Sequence, residues 1–146
     1  MLMDQEAVKK IIPHRAPMLL VDTVEEMELG KNIVTRFHVD PDWNIFQGHF
    51  PGAPVLPGVY TVECMAQASD VLLLSYDRYA GTTPFFIGIN NVKFISKVKP
   101  GDTIEVHAAI SNERIEKGIV TCSAEVYNLT DENKKCCVGD VTLAMR

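Results

Sequence analysis

The feature that most constrains the fold is an apolar stretch that runs from Pro54 to Leu74. The stretch is long enough to raise the question of a membrane span. It contains Glu63, Gln67 and Asp70, however, and each of these side chains is costly in lipid without a partner. Apolar residues occupy nearly every side of a helix built from it, which is typical of a helix buried on all sides. We therefore predict a central helix within a soluble domain.

The boundaries of this helix follow from proline and glycine. Pro57 suits the first turn, where its missing N–H costs nothing, and Gly81 is a stop signal, so we expect the helix to end near Tyr79. Residues 40–57 are too rich in proline and glycine for a regular element and are predicted to form a loop placed for packing or function. The polar residues of the helix form one stripe, because they are spaced i, i+4 and i+7.

The rest of the chain reads mainly as strands. Residues 4–12 predict a short helix that is stopped by proline. Runs with period-two alternation or β-branched residues predict strands at 18–28, 31–39, 85–98, 104–110, 120–126 and 134–145. A hairpin, a buried helix and about four consecutive antiparallel strands favour an α+β fold in which a curved sheet wraps the helix. The chain has no glycine-rich phosphate loop and no βαβ alternation, which argues against nucleotide binding.

Length, charge and cysteine content limit the function classes. The 146 residues predict one domain, 1–146. A net charge of −5 disfavours nucleic acid or an anionic membrane as the main partner. The cysteines lack zinc-ligand spacing and the N-terminus lacks the layout of a secretory signal, so we expect no metal and a cytoplasmic protein with reduced thiols. The four cysteines are Cys64, Cys122, Cys136 and Cys137.

Two polar residues are candidates for acid–base chemistry. His49 lies in the proline- and glycine-rich loop, and Glu63 lies on the predicted buried helix. Burial favours a protonated carboxyl group, which can act as a general acid, and a histidine suits the role of general base. From spacing alone, a packing role for His49 and a macrodipole role for Glu63 are the commoner interpretation.

The local sequence around both residues is more specific. It resembles the signature of the 3-hydroxyacyl-[acyl carrier protein] dehydratases of bacterial type II fatty-acid synthesis. The matching segments occur in the family's order and cover nearly the whole chain. They are 13–22 (PHRAPMLLVD), 49–59 (HFPGAPVLPGV) followed by Glu63 and Ala66-Gln67, 91–94 (NVKF) and 98–102 (VKPGD).

This resemblance implies a hotdog fold and a dimer or trimer of dimers with active sites between subunits. It implies that His49 is the catalytic histidine and that Glu63 is the catalytic acid of the partner chain. Glutamate at 63 favours the dehydratase over the related dehydratase/isomerase, which has aspartate there. The implied reaction removes water from a (3R)-3-hydroxyacyl thioester and gives the trans-2-enoyl thioester, with no cofactor beyond the phosphopantetheine arm of acyl carrier protein.

Other positions carry weaker expectations. The backbone N–H of Gly58 would polarise the thioester carbonyl. Gln67 would either orient the Glu63 carboxyl or serve as its ordinary polar partner. Phe85 is a candidate for the wall of the acyl channel together with Phe86, Ile87 and Phe94, although plain core packing is favoured for Phe86. The family often has tyrosine at position 85, so a hydroxyl-dependent role is absent here.

A basic strip is expected to bind the acidic carrier protein. Lys93, Lys97 and Lys99 are all odd-numbered, which predicts that they project from one strand face, and Arg15 is a further member. An ordinary solvated face is at least as good an interpretation for any single lysine.

Two rival functions and several residues without a role complete the sequence-based picture. A hotdog acyl thioesterase would not need the pairing of His49 with Glu63. A non-catalytic acyl-binding module would have no reason to bury that carboxyl group. Cys64 is expected to be a small buried thiol. The remaining histidines are expected to be structural or exposed, with no cluster of functional groups around them; they are His14, His38 and His107.

Overall fold

The computed structural model describes residues 1–146 and contains two α-helices and six strands. The helices are α1 (Gln5–Lys9) and α2 (Gly58–Leu74). The strands are β1 (Thr23–Glu28), β2 (Asn32–His38), β3 (Pro84–Phe94), β4 (Thr103–Arg114), β5 (Ile119–Asn128) and β6 (Lys134–Met145). Short 3₁₀ turns lie at Asn44–Gln47, Asp77–Tyr79 and Ile115–Lys117.

All six strands form one antiparallel sheet in the order β1-β2-β4-β5-β6-β3. The predicted hairpin, helix and four following strands are confirmed. The strand that follows α2 does not join the hairpin. It crosses to the far edge and pairs with β6, while β4 pairs with β2. The sheet therefore has two edge strands, β1 and β3.

α2 lies at the centre of the fold, as the apolar stretch predicts. It contacts five strands, and its side chains are buried around most of its circumference. Cys64, Met65 and Leu72 are completely inaccessible to solvent. Burial of this much apolar surface is the main favourable contribution to folding. No helix of the chain combines the length and the apolar character that crossing a membrane requires.

The predicted end of α2 near Tyr79 is wrong by one turn. The helix ends at Leu74, with Ser75 as its C-cap, and the backbone of Tyr76 is already extended. A 3₁₀ turn then buries Tyr79, whose hydroxyl donates a hydrogen bond to Glu113 on β4. Packing of this tyrosine onto the sheet therefore overrides continuation of the helix.

Three other predicted elements are also longer than the observed ones. α1 ends at Lys9, and β1 begins at Thr23 because the preceding segment turns away from the sheet. The backbone N–H of Leu20 donates to the side chain of Gln67 on α2, at 2.7 Å, instead of to a strand. β3 ends at Phe94, after an irregularity in register at Asn90–Lys93.

Candidate active site

His49 lies in the loop between β2 and α2, and its tautomer is set by one backbone contact. Nδ1 lies 2.8 Å from the carbonyl oxygen of Val55. A carbonyl can only accept, so Nδ1 carries the hydrogen and donates it. In the neutral ring, Nε2 is therefore left with a free lone pair, which is what a general base requires.

The histidine opens onto a groove of about 420 Å³. Its walls are mostly apolar and come from the loop, the start of α2 and the segment after β3. Apolar wall residues include Val55, Leu56, Val59, Phe94 and Ile95, and Lys97 stands among them. A mostly apolar groove with a few polar groups is typical of a small-molecule site.

Gly58 forms part of the same groove and is the first residue of α2. N–H groups in the first turn of a helix have no partner inside it and carry the positive end of the dipole. A Cβ at this position would lie 2.6 Å from the ring of Phe94. Glycine therefore permits both the close packing of Phe94 and the approach of a ligand to the backbone.

Glu63 is held by a buried amide. Its Oε2 accepts a hydrogen bond of 2.7 Å from Nε2 of Gln67. That nitrogen also donates to the carbonyl oxygen of Met18, at 2.6 Å, and the amide oxygen accepts from the N–H of Leu20. Gln67 is completely buried, so it ties the carboxyl group to the segment before β1. Its predicted contact with Glu63 is present, while contact with substrate stays a prediction.

A histidine and a second carboxyl group complete the surroundings of Glu63. Nε2 of His14 lies 3.9 Å from Oε2 of Glu63 and 3.9 Å from Oδ2 of Asp70. The expectation that no functional groups surround His14 is therefore wrong. Its position in the family-like segment 13–22 and the i, i+7 spacing of Glu63 and Asp70 were the available signals. Their meeting depends on the docking of the N-terminal segment onto α2.

Burial changes the ionisation of this cluster. Burial and, to a smaller extent, the charge of Glu63 together raise the pKa of Asp70 from 3.8 to about 8. Burial also lowers the pKa of His14, against the opposing effect of Glu63 and with a smaller contribution from Arg15. The cluster therefore favours a neutral His14 and a protonated Asp70 at neutral pH.

One chain does not combine His49 and Glu63 in a single groove. Glu63 is absent from the walls of the groove that contains His49, and its carboxyl group contacts Gln67 and faces His14 instead. Within one chain, the two candidate groups therefore lie in separate surroundings.

Of the aromatic residues predicted to line the acyl channel, only one lies in the groove that contains His49. Phe94 lines the groove, whereas Phe85 stands on β3 with half of its surface exposed. The favoured interpretation of Phe86 as a core aromatic is wrong, since 37% of its surface is exposed. A strand at the edge of the sheet leaves these rings without cover from the chain itself.

The basic strip is exposed, but it is not one strand face. Only Lys93 belongs to β3, and Lys97 and Lys99 follow its end. The expectation fails because β3 stops four residues before the sequence pattern does. Arg15 donates to the carbonyl oxygens of Lys9, Ile12 and His14, and its place in the strip stays a prediction.

The remaining singled-out residues behave as expected. Cys64 is fully buried, and burial raises the pKa of its thiol well above the ordinary value. His38 bonds Thr103, and His107 bonds Glu105 at 2.8 Å; both contacts lie on the exposed surface.

Solved structures with a similar fold are hotdog proteins. The dehydratase heterocomplex ApeI:P from Xenorhabdus doucetiae has a TM-score of 0.76 at 17% identity, over 95% of this chain and 90% of that one. PaaI from E. coli has a TM-score of 0.63 at 15% identity, and the match covers 83% of this chain and 80% of PaaI. The protein is thus an α+β hotdog protein.

Sequence comparison narrows this class. The family model of the FabA-like domain matches residues 12–135. A 3-hydroxyacyl-[acyl-carrier-protein] dehydratase FabZ of Latilactobacillus sakei is 39% identical over 97% of both chains. The FabZ of Clostridium acetobutylicum is 44% identical over 82% of this chain and 88% of its own. The chain belongs to the FabA-like family of 3-hydroxyacyl-[acyl-carrier-protein] dehydratases.

Proposed function

We propose that the protein is a hydro-lyase that converts (3R)-3-hydroxyacyl-[acyl carrier protein] to trans-2-enoyl-[acyl carrier protein] in fatty-acid biosynthesis. Relatives that bear this name match nearly the full length of the chain. The observation that carries the proposal is that His49, whose tautomer leaves a free lone pair on Nε2, lines a mostly apolar groove.

The chemistry uses one base and one acid. Nε2 of His49 takes the proton from C2, which the thioester carbonyl acidifies, while the N–H of Gly58 stabilises the charge that develops on that carbonyl. Glu63 donates its proton to the 3-hydroxyl group, the C3–O bond breaks, and water leaves as the C2–C3 double bond forms. The proton on His49 returns to Glu63 through solvent. Acid, base and backbone dipole supply every charge and proton in these steps, so the reaction requires no cofactor.

A second copy of the chain brings the acid to the base. β3 is an edge strand of eleven residues, and its outer edge has no partner within the chain. Phe85, Ile87 and Ile89 on this strand are each more than half exposed. A long apolar edge is a template for pairing with another strand, so we infer a homodimer through β3, with trimers of such dimers as the higher assembly.

The same interface explains the exposed groove. Val59 and Phe94 line the groove and are 72% and 59% exposed. A partner that pairs with β3 covers these side chains and presents its own α2 to the groove. The His49 half of one protomer and the Glu63 half of the other then form one site, and Phe85 lies in the wall between them.

Acyl carrier protein is the proposed macromolecular partner. Lys97 stands at the groove and Lys93 and Lys99 are exposed near it in sequence, which gives an acidic chain a local basic surface. An acidic carrier would be steered to this surface and would deliver the thioester to the groove.

Hydration of crotonyl-[acyl carrier protein], followed through enoyl absorbance and free thiol together, tests the proposal. His49→Ala and Glu63→Gln are each expected to reduce dehydratase activity by about 10²-fold or more, since acid or base catalysis contributes about 10²–10⁴-fold. The matched control His107→Ala, which changes an exposed histidine, is expected to keep full activity.

Two results would overturn the assignment. Release of free thiol without loss of the enoyl group would identify an acyl thioesterase. Near-normal dehydration by either variant would remove that residue from the mechanism.

A further inference from the structure

β3 contains a bulge shortly before its end. Two of its residues, Asn91 and Val92, lie opposite the single residue Gly139 of β6. Asn91 has a φ angle of 56°, in the left-handed region that asparagine tolerates and β-branched residues avoid. Its Nδ2 donates a hydrogen bond of 2.9 Å to Oδ2 of Asp140. A Cβ at position 139 would lie 2.6 Å from Cγ2 of Val92. The residues on both strands are therefore fitted to the bulge.

The bulge reverses the alternation of side chains along β3. Ile89 pairs with Val141, before the bulge, and Phe94 pairs with Cys137, after it. Val141 and Cys137 are buried, and they lie an even number of residues apart where β6 pairs regularly with β5, so they point to one face of the sheet. Paired residues of antiparallel strands share a face. Ile89 and Phe94 therefore point to the same face, although a regular strand would place them on opposite faces.

The face that Phe94 reaches is the face on which α2 packs. A Cβ at Gly58, the first residue of α2, would lie 2.6 Å from the ring of Phe94. The same ring lines the groove that contains His49. With regular alternation beyond Ile89, Phe94 would point away from α2 and Lys93 would point toward it. The bulge therefore decides which of these two side chains faces the groove.

We propose that Asn91 is a positioning residue for the acyl substrate: its left-handed backbone holds the bulge that turns Phe94 toward Gly58 and so builds one wall of the groove beside His49. This inference rests on the proposed function, which assigns the groove to the acyl thioester. The side chain of Asn91 bonds Asp140 on the opposite face of the sheet, so it acts through the strand and not by contact with substrate. Its loss should therefore weaken substrate binding and leave the acid–base steps intact.

Two substitutions at position 91 separate the backbone conformation from the side chain. Valine is β-branched and opposes a positive φ angle, whereas glycine adopts it freely. For hydration of trans-2-octenoyl-[acyl carrier protein], Asn91→Val is expected to raise KM by about tenfold, as the loss of an apolar contact with a ligand does, with kcat unchanged. Asn91→Gly, the matched control, loses only the bond to Asp140 and is expected to keep the KM of the wild type. An equal KM in Asn91→Val and the wild type would overturn the proposal.

Gly139→Ala reaches the same bulge from β6. The new Cβ would lie 2.6 Å from Val92, so the two residues opposite it have to shift. This variant is expected to raise KM as Asn91→Val does, and it keeps the proposal testable if Asn91→Val does not fold. A folded Gly139→Ala protein with the KM of the wild type would contradict a role of the bulge in substrate binding.

A double-mutant cycle with Phe94→Ala separates action through Phe94 from general damage to the sheet. If Asn91 acts through the ring, its substitution has little further effect once the ring is gone, so Phe94→Ala with and without Asn91→Val should have nearly the same KM. General damage would instead multiply the two effects, and that result would overturn the proposal.

The position of the ring is also measurable without substrate. Nuclear Overhauser contacts between the ring of Phe94 and the α hydrogens of Gly58 are expected in the wild type and in Asn91→Gly, and are expected to be absent in Asn91→Val. If these contacts persist in Asn91→Val, the inference is wrong, whatever the activity of the variant. If they change as expected but the wild type does not hydrate enoyl thioesters, the bulge positions Phe94 and the proposed function fails.

Discussion

The two halves of the proposed site are built in opposite ways. His49 lies in a loop and is held by one hydrogen bond to Val55 of the same loop, beside an open groove. Glu63 lies on the central helix and is tied through the fully buried Gln67 to the segment before β1. The base is thus oriented locally, whereas the acid depends on the fold as a whole. Changes in the helix half should therefore cost stability as well as activity, and changes in the groove half should cost activity alone.

Gln67→Ala is expected to have the largest combined effect. It leaves the N–H of Leu20 and the carbonyl of Met18 without partners and releases the Glu63 carboxyl. The hydrogen bond to Leu20 is buried, and a buried group left unpaired costs roughly 1–3 kcal/mol, so the free energy of unfolding should fall by about 2 kcal/mol. Denaturant unfolding and the hydration assay measure both losses.

A matched comparison decides whether the amide or the volume matters. Gln67→Glu keeps the length of the side chain but loses the donor to Glu63 and Met18, so it should be as inactive as Gln67→Ala. If either variant keeps full stability and activity, Gln67 does not couple Glu63 to the stability of the fold, and the difference between the two halves of the proposed site is wrong.

Gly58→Ala tests the groove half. The new Cβ would lie 2.6 Å from the ring of Phe94, so this exposed ring, which lines the groove, has to shift. We expect kcat/KM to fall by about tenfold, since small misplacements in a site cost up to about 10²-fold, with little change in unfolding free energy.

Gly48→Ala, in the loop that holds His49, is the control. A Cβ there meets nothing within 4 Å, and the φ angle of −110° suits any residue. Its activity and stability should match the wild type. If Gly58→Ala instead lowers the free energy of unfolding as much as Gln67→Ala does, the groove around His49 depends on the whole fold and not on local contacts.

Lys97→Glu is expected to have the smallest effect. It reverses an exposed charge at the groove without touching the core. The KM for acyl carrier protein should rise a few-fold at low salt, and the difference should vanish at high salt, because screening removes exposed charge effects. Lys134→Glu, on β6, is the control for net charge; equal effects of both variants would refute a local docking surface.

The sequence predicts the helix half and the groove half with unequal success. Amphipathic spacing and the resemblance place Glu63 and Gln67 on one helical stripe, and their hydrogen bond is present. Periodicity also finds the strands, because alternation reflects one buried face. The meeting of His14 with Asp70 escapes such reasoning, since it depends on how the N-terminal segment docks onto α2. The end of β3 escapes it too, because alternation in exposure continues beyond the last strand residue.

The two edge strands of the sheet also differ in a way that sequence patterns do not predict. β1 is short and charged, and the chain near Met3 bridges to it. β3 is long and apolar and has no such cover. Sequence patterns predict strands at both positions, and only the order of the strands in the sheet shows that β3 is an edge without cover from the chain.

Mixing two inactive variants tests the central claim that the halves meet between protomers. Purified His49→Ala and Glu63→Gln chains are unfolded together, refolded and assayed for hydration of crotonyl-[acyl carrier protein]. In a mixed dimer, one site has both defects and the other has an intact His49 from one chain and an intact Glu63 from the other. Random pairing through a two-fold interface should restore about a quarter of wild-type activity. If the mixture is as inactive as each variant alone, the two residues act within one chain and the shared site is wrong.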